Sequence, residues 1–160
     1  MAKGTPNRKE ATNFRLDPLT KYTAEIAARV QRKNLTGFLE WSMNESFKVL
    51  TFEDGATIES KMYELWDIDE ADRFLKLAYS YYNLLNHEEQ RIFKTINENF
   101  KFFKKDVNTF VPSDEQQRAN FNANIPSIDY LDFQKVREHW EDLNQYAYGN
   151  KDLDFLKEEN

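Results

Sequence analysis

Residues 11 to 46, ATNFRLDPLTKYTAEIAARVQRKNLTGFLEWSMNES, decide the fold of the amino-terminal part of the chain. The first six alternate between two faces, with Phe14 and Leu16 on the apolar one, which is the period of a half-buried β-strand. Asp17 and Pro18 follow, and this pair favours a helix start because Asp caps the first turn and Pro tolerates the first helical position. The stretch therefore predicts one short strand that leads directly into a helix.

Two amphipathic helices are predicted after this strand, because apolar residues recur every three or four positions. The first stripe is Leu19, Tyr22, Ile26 and Val30, and the second is Leu39, Met43, Phe47 and Leu50. Between them, we expect Asn34 to take the left-handed conformation that ends the first helix, and Thr36 to cap the second. Neither helix is long enough to be stable without tertiary packing.

Charge is distributed unevenly along the 160 residues. Residues 1 to 50 hold nine Lys and Arg against five acids, a net charge of +4, whereas residues 51 to 160 hold 13 basic and 23 acidic residues, a net charge of −10. A basic segment joined to an acidic body suggests a polyanionic partner at one end only. The alternative from charge alone is a basic arm that is simply solvated.

The remaining chain predicts a mainly α protein with two modules. We expect a flexible basic arm at residues 1–10, a strand-helix-helix module at 11–50, a linker at 51–57 around Gly55, an acidic helical domain at 58–150 and a tail at 151–160. Helices are predicted at about 57–66, 69–85, 86–103 and 129–148, with a capping box at Asn86 and Glu89, a short helix capped by Ser113 and a stop at Gly149. Residues 51 to 160 contain 19 of the 24 aromatic residues, which is enough for a core of their own.

The amino-terminal module resembles the ribbon-helix-helix family of Arc/MetJ-type DNA-binding proteins over about residues 10–50. The segments that carry the resemblance are FRLDPLT and KNLTGFLEWSMNESF, which look like the family's entry to its first helix and its turn into the second. Asn34 stands where the family usually has Gly, a replacement that Asn tolerates better than most residues. The alternative reading is an amino-terminal helical hairpin with a frayed start. No family is recognised for the carboxy-terminal helical part.

The resemblance implies a homodimer that can assemble further on DNA. In this dimer the strands of two copies form a ribbon in the major groove of double-stranded DNA. Elementary physics agrees, because a lone strand leaves its backbone N–H and C=O groups unpaired and a two-fold dimer supplies the missing strand. The predicted base contacts are Ala11, Asn13 and Arg15. The predicted phosphate contacts are Thr36, Gly37, Lys33, Lys9, Arg8 and Lys3. The predicted dimer core is Phe14, Leu16, Tyr22, Ile26, Val30, Leu39, Met43 and Phe47.

The sequence carries no recognisable catalytic or metal-binding motif. The two histidines, His87 and His139, lie in no metal-ligand spacing, and His139 is expected to be solvated on a charged helix face. There is no cysteine, and four scattered glycines form no phosphate-binding loop. We therefore expect no enzyme activity, no cofactor and no metal, and a cytoplasmic protein without a membrane span.

These expectations combine into a sequence-specific transcriptional regulator, either a repressor or an autoregulatory antitoxin, whose acidic domain binds a protein partner or supports oligomerisation. One alternative, from a different class, is a helical interaction or inhibitor protein of phage or plasmid type with an acidic surface. Another keeps DNA binding but assigns it to plasmid partition or conjugation.

Overall fold

A computed structural model of the chain describes residues 12–13, 15–106, 108–150 and 152–156. The arm at residues 1–10 therefore lies outside the described residues. So do Ala11 and Phe14, the predicted phosphate contacts Lys3, Arg8 and Lys9, and part of the tail. The chain divides into two compact units, Met1–Glu64 and Leu65–Asn160.

The protein is mainly α-helical, as predicted. The described residues form nine α-helices, and short 3₁₀ helices lie at Tyr82–Leu84, Ile128–Tyr130 and Asp154–Leu156. The α-helices are α1 (Pro18–Val30), α2 (Leu35–Phe47), α3 (Ile58–Leu65), α4 (Glu70–Ser80), α5 (His87–Glu98), α6 (Phe100–Phe103), α7 (Glu115–Asn122), α8 (Phe133–Glu138) and α9 (Trp140–Ala147). None of these helices has the length and apolar character needed to cross a bilayer.

The first unit begins with the helix start that the sequence predicts. Asp17 accepts hydrogen bonds from the backbone N–H groups of Leu19 and Thr20, both at 3.0 Å, and Pro18 takes the first helical position. Helix α1 packs against α2, and its buried side chains are Ala24 and Ala28. The two helices predicted for the amino-terminal part are thus confirmed, and so is the way in which the first of them begins.

The predicted linker at 51–57 is a folded turn inside the first unit. Thr51 and Thr57 form an isolated antiparallel bridge, and Gly55 has a φ of +81°, which explains the glycine at that position. The division between the units falls instead at Glu64 and Leu65, the end of α3. The residues around Gly55 thus form a turn in which the chain reverses its direction, and the division between the units lies further along the chain.

The second unit is built around two long helices. Helix α4 packs on α8, and α5 packs on α9. The predicted capping box is confirmed, because the Asn86 side chain accepts from the Glu89 backbone while the Glu89 carboxylate accepts from the Asn86 backbone, both at 2.8 Å. Gly149 has a φ of +76° directly after α9, as its predicted role as a stop requires.

A single apolar core fills the second unit. Phe93, Phe133 and Trp140 are half-buried against this core. The buried core residues are Ala71, Phe74, Leu75, Ala78, Leu85, Ile92, Ile96, Phe100, Phe103, Phe121, Tyr130, Leu131, Val136, Leu143, Ala147 and Leu153. Tyr82 lies four residues after the buried Ala78, but it is 49% exposed because α4 ends at Ser80, two residues before it.

Several predicted helices are shorter than their apolar periodicity indicates. The helix predicted at 69–85 ends at Ser80, the one at 86–103 breaks at Asn99, and the one at 129–148 breaks at His139. The short helix after residue 112 is capped by Asp114 rather than Ser113. Buried apolar residues follow both Asn99 and His139, so the periodicity alone does not reveal these two interruptions.

The predicted tail is partly folded. Leu153 is buried, and Phe155 stacks on the imidazole of His139 with ring centroids 3.9 Å apart and an interplanar angle of 15°. His139 is therefore half-buried under this segment rather than solvated, which corrects the prediction made for it. The sequence missed the contact because it joins residues far apart along the chain.

Candidate nucleic-acid interface

The segment before α1 is exposed and has no regular secondary structure in its described residues. Asn13 and Arg15, two of the predicted base contacts, are both exposed, and Leu16 is 38% exposed. The strand predicted for residues 11 to 16 is therefore absent from the described part of the single chain. A strand is defined by its hydrogen-bonded neighbour, and the described residues of one chain place none beside this segment.

Helix α1 has two faces of different composition. Ala24 and Ala28 are buried, whereas Tyr22, Ile26 and Val30 are 61%, 37% and 79% exposed. Tyr22, Ile26 and Val30 each lie two positions from one of these alanines, which is about 200° around a helix. The small residues thus face inward within the unit, and the large apolar residues face the opposite side.

Helix α2 carries a second apolar surface, which borders an open groove of about 610 Å³. The residues that line this groove come from the segment before α1, from Lys21 of α1 and from the first nine residues of α2. They are Thr12, Asn13, Leu16, Lys21, Leu35, Thr36, Leu39, Glu40 and Met43. Met43 is 48% exposed, and Phe47, one helical turn further on, is 37% exposed. The groove is where the amino-terminal segment and α2 leave apolar surface uncovered.

The predicted dimer-core residues therefore lie on two surfaces. Leu16, Leu39 and Met43 line the groove, while the α1 stripe faces elsewhere. Phe14 lies outside the described residues. The sequence analysis did not identify Ala24 and Ala28 as the inward-facing residues of α1. Two alanines four residues apart are nevertheless a pattern that permits two helices to pack closely.

The turn between α1 and α2 is present, but its residues have other roles than those predicted. Arg32, not Asn34, takes the left-handed conformation, with a φ of +55°, and the Lys33 N–H donates to the Ala28 carbonyl at 2.9 Å. Asn34 is the amino-terminal cap of α2, because its side chain accepts from the Gly37 N–H at 2.7 Å. Asn serves either purpose, so the sequence could not distinguish them.

This geometry affects the predicted phosphate contacts. Thr36 is exposed in the first turn of α2, where helix N–H groups and the positive end of the dipole favour an anion. The Gly37 N–H is already engaged by Asn34, so a phosphate would compete with that cap for it. Lys33 is exposed at the same turn, within a run of three positive side chains with Arg29 and Arg32.

The charges on this unit are exposed and weakly paired. Lys21 and Glu25 lie 3.9 Å apart with side chains 62% and 36% exposed, a pair of small energetic weight. The hydrogen bond from the Thr20 side chain, followed by bonds from backbone N–H groups, lowers the pKa of Asp17. Asp17 is thus an anion at the amino end of α1, and cations gather at its carboxyl end.

The described residues include two histidines and many carboxylates, the side chains that most often serve as metal ligands and acid–base groups. They contain no group of three or more His, Asp or Glu side chains that could hold a metal ion. His87 is exposed, and His139 stacks on Phe155 and contacts the tilted ring of Phe102. The most buried carboxylate, Asp72, is held by Arg137 in a two-point ion pair.

Comparison with known proteins adds nothing to the ribbon-helix-helix resemblance of residues 10–50, which is therefore based only on the residues quoted above. No protein-family model, curated protein or solved structure matches the chain.

Proposed function

We propose that the chain is a sequence-specific DNA-binding regulator, a repressor of its own or nearby genes, that acts as a homodimer. Residues 11–16 of two copies pair as an antiparallel ribbon, and the ribbon enters the major groove of DNA. The observation that carries the proposal is the combination of an exposed amino-terminal segment with a two-helix unit that leaves an apolar groove open beside it.

The groove supports dimerisation because one copy leaves large apolar side chains of both helices exposed. Within α1, only Ala24 and Ala28 are buried among the described residues, and α2 buries none of its residues. A second copy pairing with the amino-terminal segment would lie beside Leu16, Leu39 and Met43, and would cover apolar surface worth about 25 cal/mol per Å². Pairing would also satisfy the backbone groups of the segment.

The exposed polar side chains support DNA as the ligand. Arg15 is exposed and does not line the groove, so it remains available after a partner docks there. Arginine reads guanine O6 and N7 in the major groove, and asparagine reads adenine. Asn13 is also exposed, but it borders the groove. It can contact a base only if the amino-terminal segment directs its side chain away from the groove when two copies pair.

The acidic second unit favours a role away from the duplex. Residues 65–160 hold 12 basic and 19 acidic residues, a net charge of −7, which phosphate repels. This unit has its own core and is therefore suited to binding a protein partner or joining copies.

Selection of bound duplexes from a random pool by the full-length protein tests the proposal. The expected result is an enriched inverted repeat, because a two-fold dimer reads two equivalent half-sites. Arg15→Ala should lose the preference at one base position of each half-site. Arg118→Ala removes the same charge from an exposed position of the second unit and should select the wild-type repeat.

Sedimentation tests the dimer separately. Met43→Glu places a charge in the groove and should give a monomer, whereas Asn44→Glu, at the adjacent exposed position of α2, should leave the dimer intact. A wild-type protein that stays monomeric at every concentration, or that enriches no duplex, contradicts the proposed function.

The acidic charge of the second unit favours one other function, that of an interaction or inhibitor protein for a basic partner. Its signature would be capture of a basic protein together with failure to bind any duplex.

A further inference from the structure

A long loop between α6 and α8 is closed at its base by backbone contacts. Lys104 and Leu131 form an isolated antiparallel bridge, and the Lys105 N–H donates to the Tyr130 carbonyl at 2.8 Å. The described residues between 106 and 129 therefore leave the core of the second unit and return to it at one place. Loops held at a fixed base in this way often carry the binding residues of a protein.

Helix α7, which lies in this loop, is polar on nearly every side. Its sequence is EQQRANFN, and Phe121 is its one buried residue. A helix of this length is not stable in isolation, and such helices usually form because an apolar face packs on the core. Since α7 contributes one side chain to the core, packing does not account for its polar side chains.

An open cavity of about 330 Å³ lies beside α7, with a volume at the lower end of the range of about 300 to 1,000 Å³ that is usual for small-molecule sites. Two rings form its aromatic wall, because Phe110 stacks on Phe121 with centroids 4.5 Å apart and an interplanar angle of 21°. Tyr130 packs edge-on against both rings, with centroid distances of 5.1 and 5.8 Å. The wall is thus fixed by packing before any ligand arrives.

The polar part of the lining consists of Arg118, Asn108 and Asn122. Within the part of the chain that the structure describes, none of these three side chains makes a hydrogen bond or an ion pair. The other arginines of the second unit all donate to carbonyl or carboxylate oxygens, and they are Arg73, Arg91 and Arg137. The guanidinium of Arg118 is therefore available to a ligand.

The positive charge at this cavity is not neutralised by its neighbours. Asp114 lies one helical turn before Arg118, but its carboxylate caps α7 and forms no ion pair with Arg118 in the described residues. The ammonium group of Lys104 lies 4.4 Å from the centroid of the Phe121 ring and donates to two neutral oxygens, a backbone carbonyl and a side-chain amide. Two cations thus lie close together in a unit whose net charge is −7.

We propose that this cavity, lined by Asn108, Phe110, Arg118, Phe121 and Asn122, binds a small aromatic carboxylate. The Arg118 guanidinium holds the carboxylate through two parallel hydrogen bonds, a planar match that favours arginine over lysine. The ring of the ligand packs against Phe110 and Phe121, and the two asparagine amides supply further donors and acceptors. This site is independent of the proposed DNA binding and adds a ligand to it.

The charge and the size of the cavity select this class of ligand. One available guanidinium matches the single charge of a carboxylate, whereas a phosphate monoester carries about two negative charges at neutral pH and needs more cations. A volume of about 330 Å³ admits a ligand of one or two rings. Phenylacetate and indole-3-acetate are therefore suitable probes.

Titration of the full-length protein with each of these two acids tests the inference. Backbone amide signals in NMR should shift in a saturable way, and the shifts should centre on residues 108–122. Phenylacetamide has nearly the same shape without the charge and should bind about tenfold more weakly or worse, because a hydrogen bond to a charged group is the stronger kind. Cyclohexylacetate keeps the charge, lacks the aromatic ring and should also bind more weakly than phenylacetate.

Two variants separate the contributions of charge and ring. Arg118→Gln should weaken binding of both acids by about tenfold or more, as loss of charge-assisted hydrogen bonds does. Lys101→Gln is the matched control, because it removes a positive charge from an exposed position outside the cavity and should bind the acids like the wild type. Phe110→Leu keeps an apolar side chain against Phe121 and should reduce the preference for phenylacetate over cyclohexylacetate.

The possible outcomes decide the inference without reference to DNA. Lack of saturable shifts with both acids up to their solubility limits overturns it, and so does wild-type affinity in Arg118→Gln. Tighter binding of inorganic phosphate than of either acid would overturn the class of ligand. If Phe110→Leu does not fold, Arg118→Gln decides, since Arg118 is exposed and its replacement leaves the core intact. Selection of duplexes without the acids reports on the proposed function alone, so failure of one leaves the other standing.

Discussion

Arg137 of α8 holds the buried carboxylate of Asp72 on α4 through two hydrogen bonds, one from Nε to Oδ1 at 2.7 Å and a shorter one from Nη2 to Oδ2. Asp72 is 3% exposed, whereas the Arg137 side chain is 45% exposed. The hydrogen bonds with Asp72 raise the pKa of Arg137 above its ordinary value. The pair fixes two helices to each other at the edge of the apolar core.

Removing Arg137 should destabilise the second unit, because the Asp72 charge would then be buried without a partner. We expect Arg137→Ala to lower the free energy of unfolding by about 1 to 3 kcal/mol. This is less than the loss of a fully buried ion pair costs, because water reaches the exposed Arg137 side of the pair. Urea unfolding measures the change. Asp69→Asn is the control, because Asp69 lies 3.9 Å from Arg137 and asparagine preserves its helix cap. Equal losses in both variants would contradict the assignment.

The amino-terminal cap of α2 can be assigned by substitution. Asn34→Ala should lower the stability of the first unit by about 1 kcal/mol, since the Gly37 N–H would lose its acceptor. Thr36→Ala should have a much smaller effect, because the Thr36 side chain does not cap the helix. Thermal unfolding of the two variants compares them, and the reverse order would restore Thr36 as the cap.

Tyr79 should make stability depend on pH in the alkaline range. Burial raises the pKa of its phenol to about 12 from an ordinary value of 10.0, and its hydroxyl donates to Asn97 Oδ1 at 2.9 Å. The contribution of Tyr79 to the free energy of unfolding is complete below pH 10.0 and is lost as the pH rises toward 12. The reason is that the phenol loses its proton at a lower pH in the unfolded chain than in the folded one. Urea midpoints measured between about pH 9 and 11 should fall less in Tyr79→Phe than in the wild type. Tyr148→Phe, at a position 65% exposed, should keep the wild-type slope.

Base and phosphate contacts should respond differently to substitution on DNA. Arg15→Ala should cost about 1 to 3 kcal/mol on the selected site and relax specificity, as loss of a bidentate base contact does. Lys33→Ala should weaken binding to all DNA sequences alike. It should also reduce the slope of log affinity against log salt concentration by about 1, as loss of one phosphate contact does. Binding titrations at several salt concentrations distinguish the two. A uniform loss for Arg15→Ala would assign it to the phosphate backbone.

Local signals determined how several helices begin and end. Asp17 with Pro18 started α1, the Asn86 and Glu89 pair started α5, and Gly149 ended α9, all as the sequence predicts. Each of these involves atoms within a few residues of one another, so the necessary information is contiguous in the chain. The mainly α class and the aromatic core of the second unit follow from periodicity in the same way.

Tertiary structure alone decided which of two plausible faces is buried and where long helices bend. The apolar periodicity of α1 marks its large residues, yet Ala24 and Ala28 face inward, because close helix packing selects small side chains. Asp72 with Arg137 and His139 with Phe155 are contacts between distant segments, and no local pattern encodes them. The sequence by itself thus determined the helices and several of their caps, whereas packing determined where the long helices are interrupted, the buried ion pair and which apolar side chains of the first unit stay exposed.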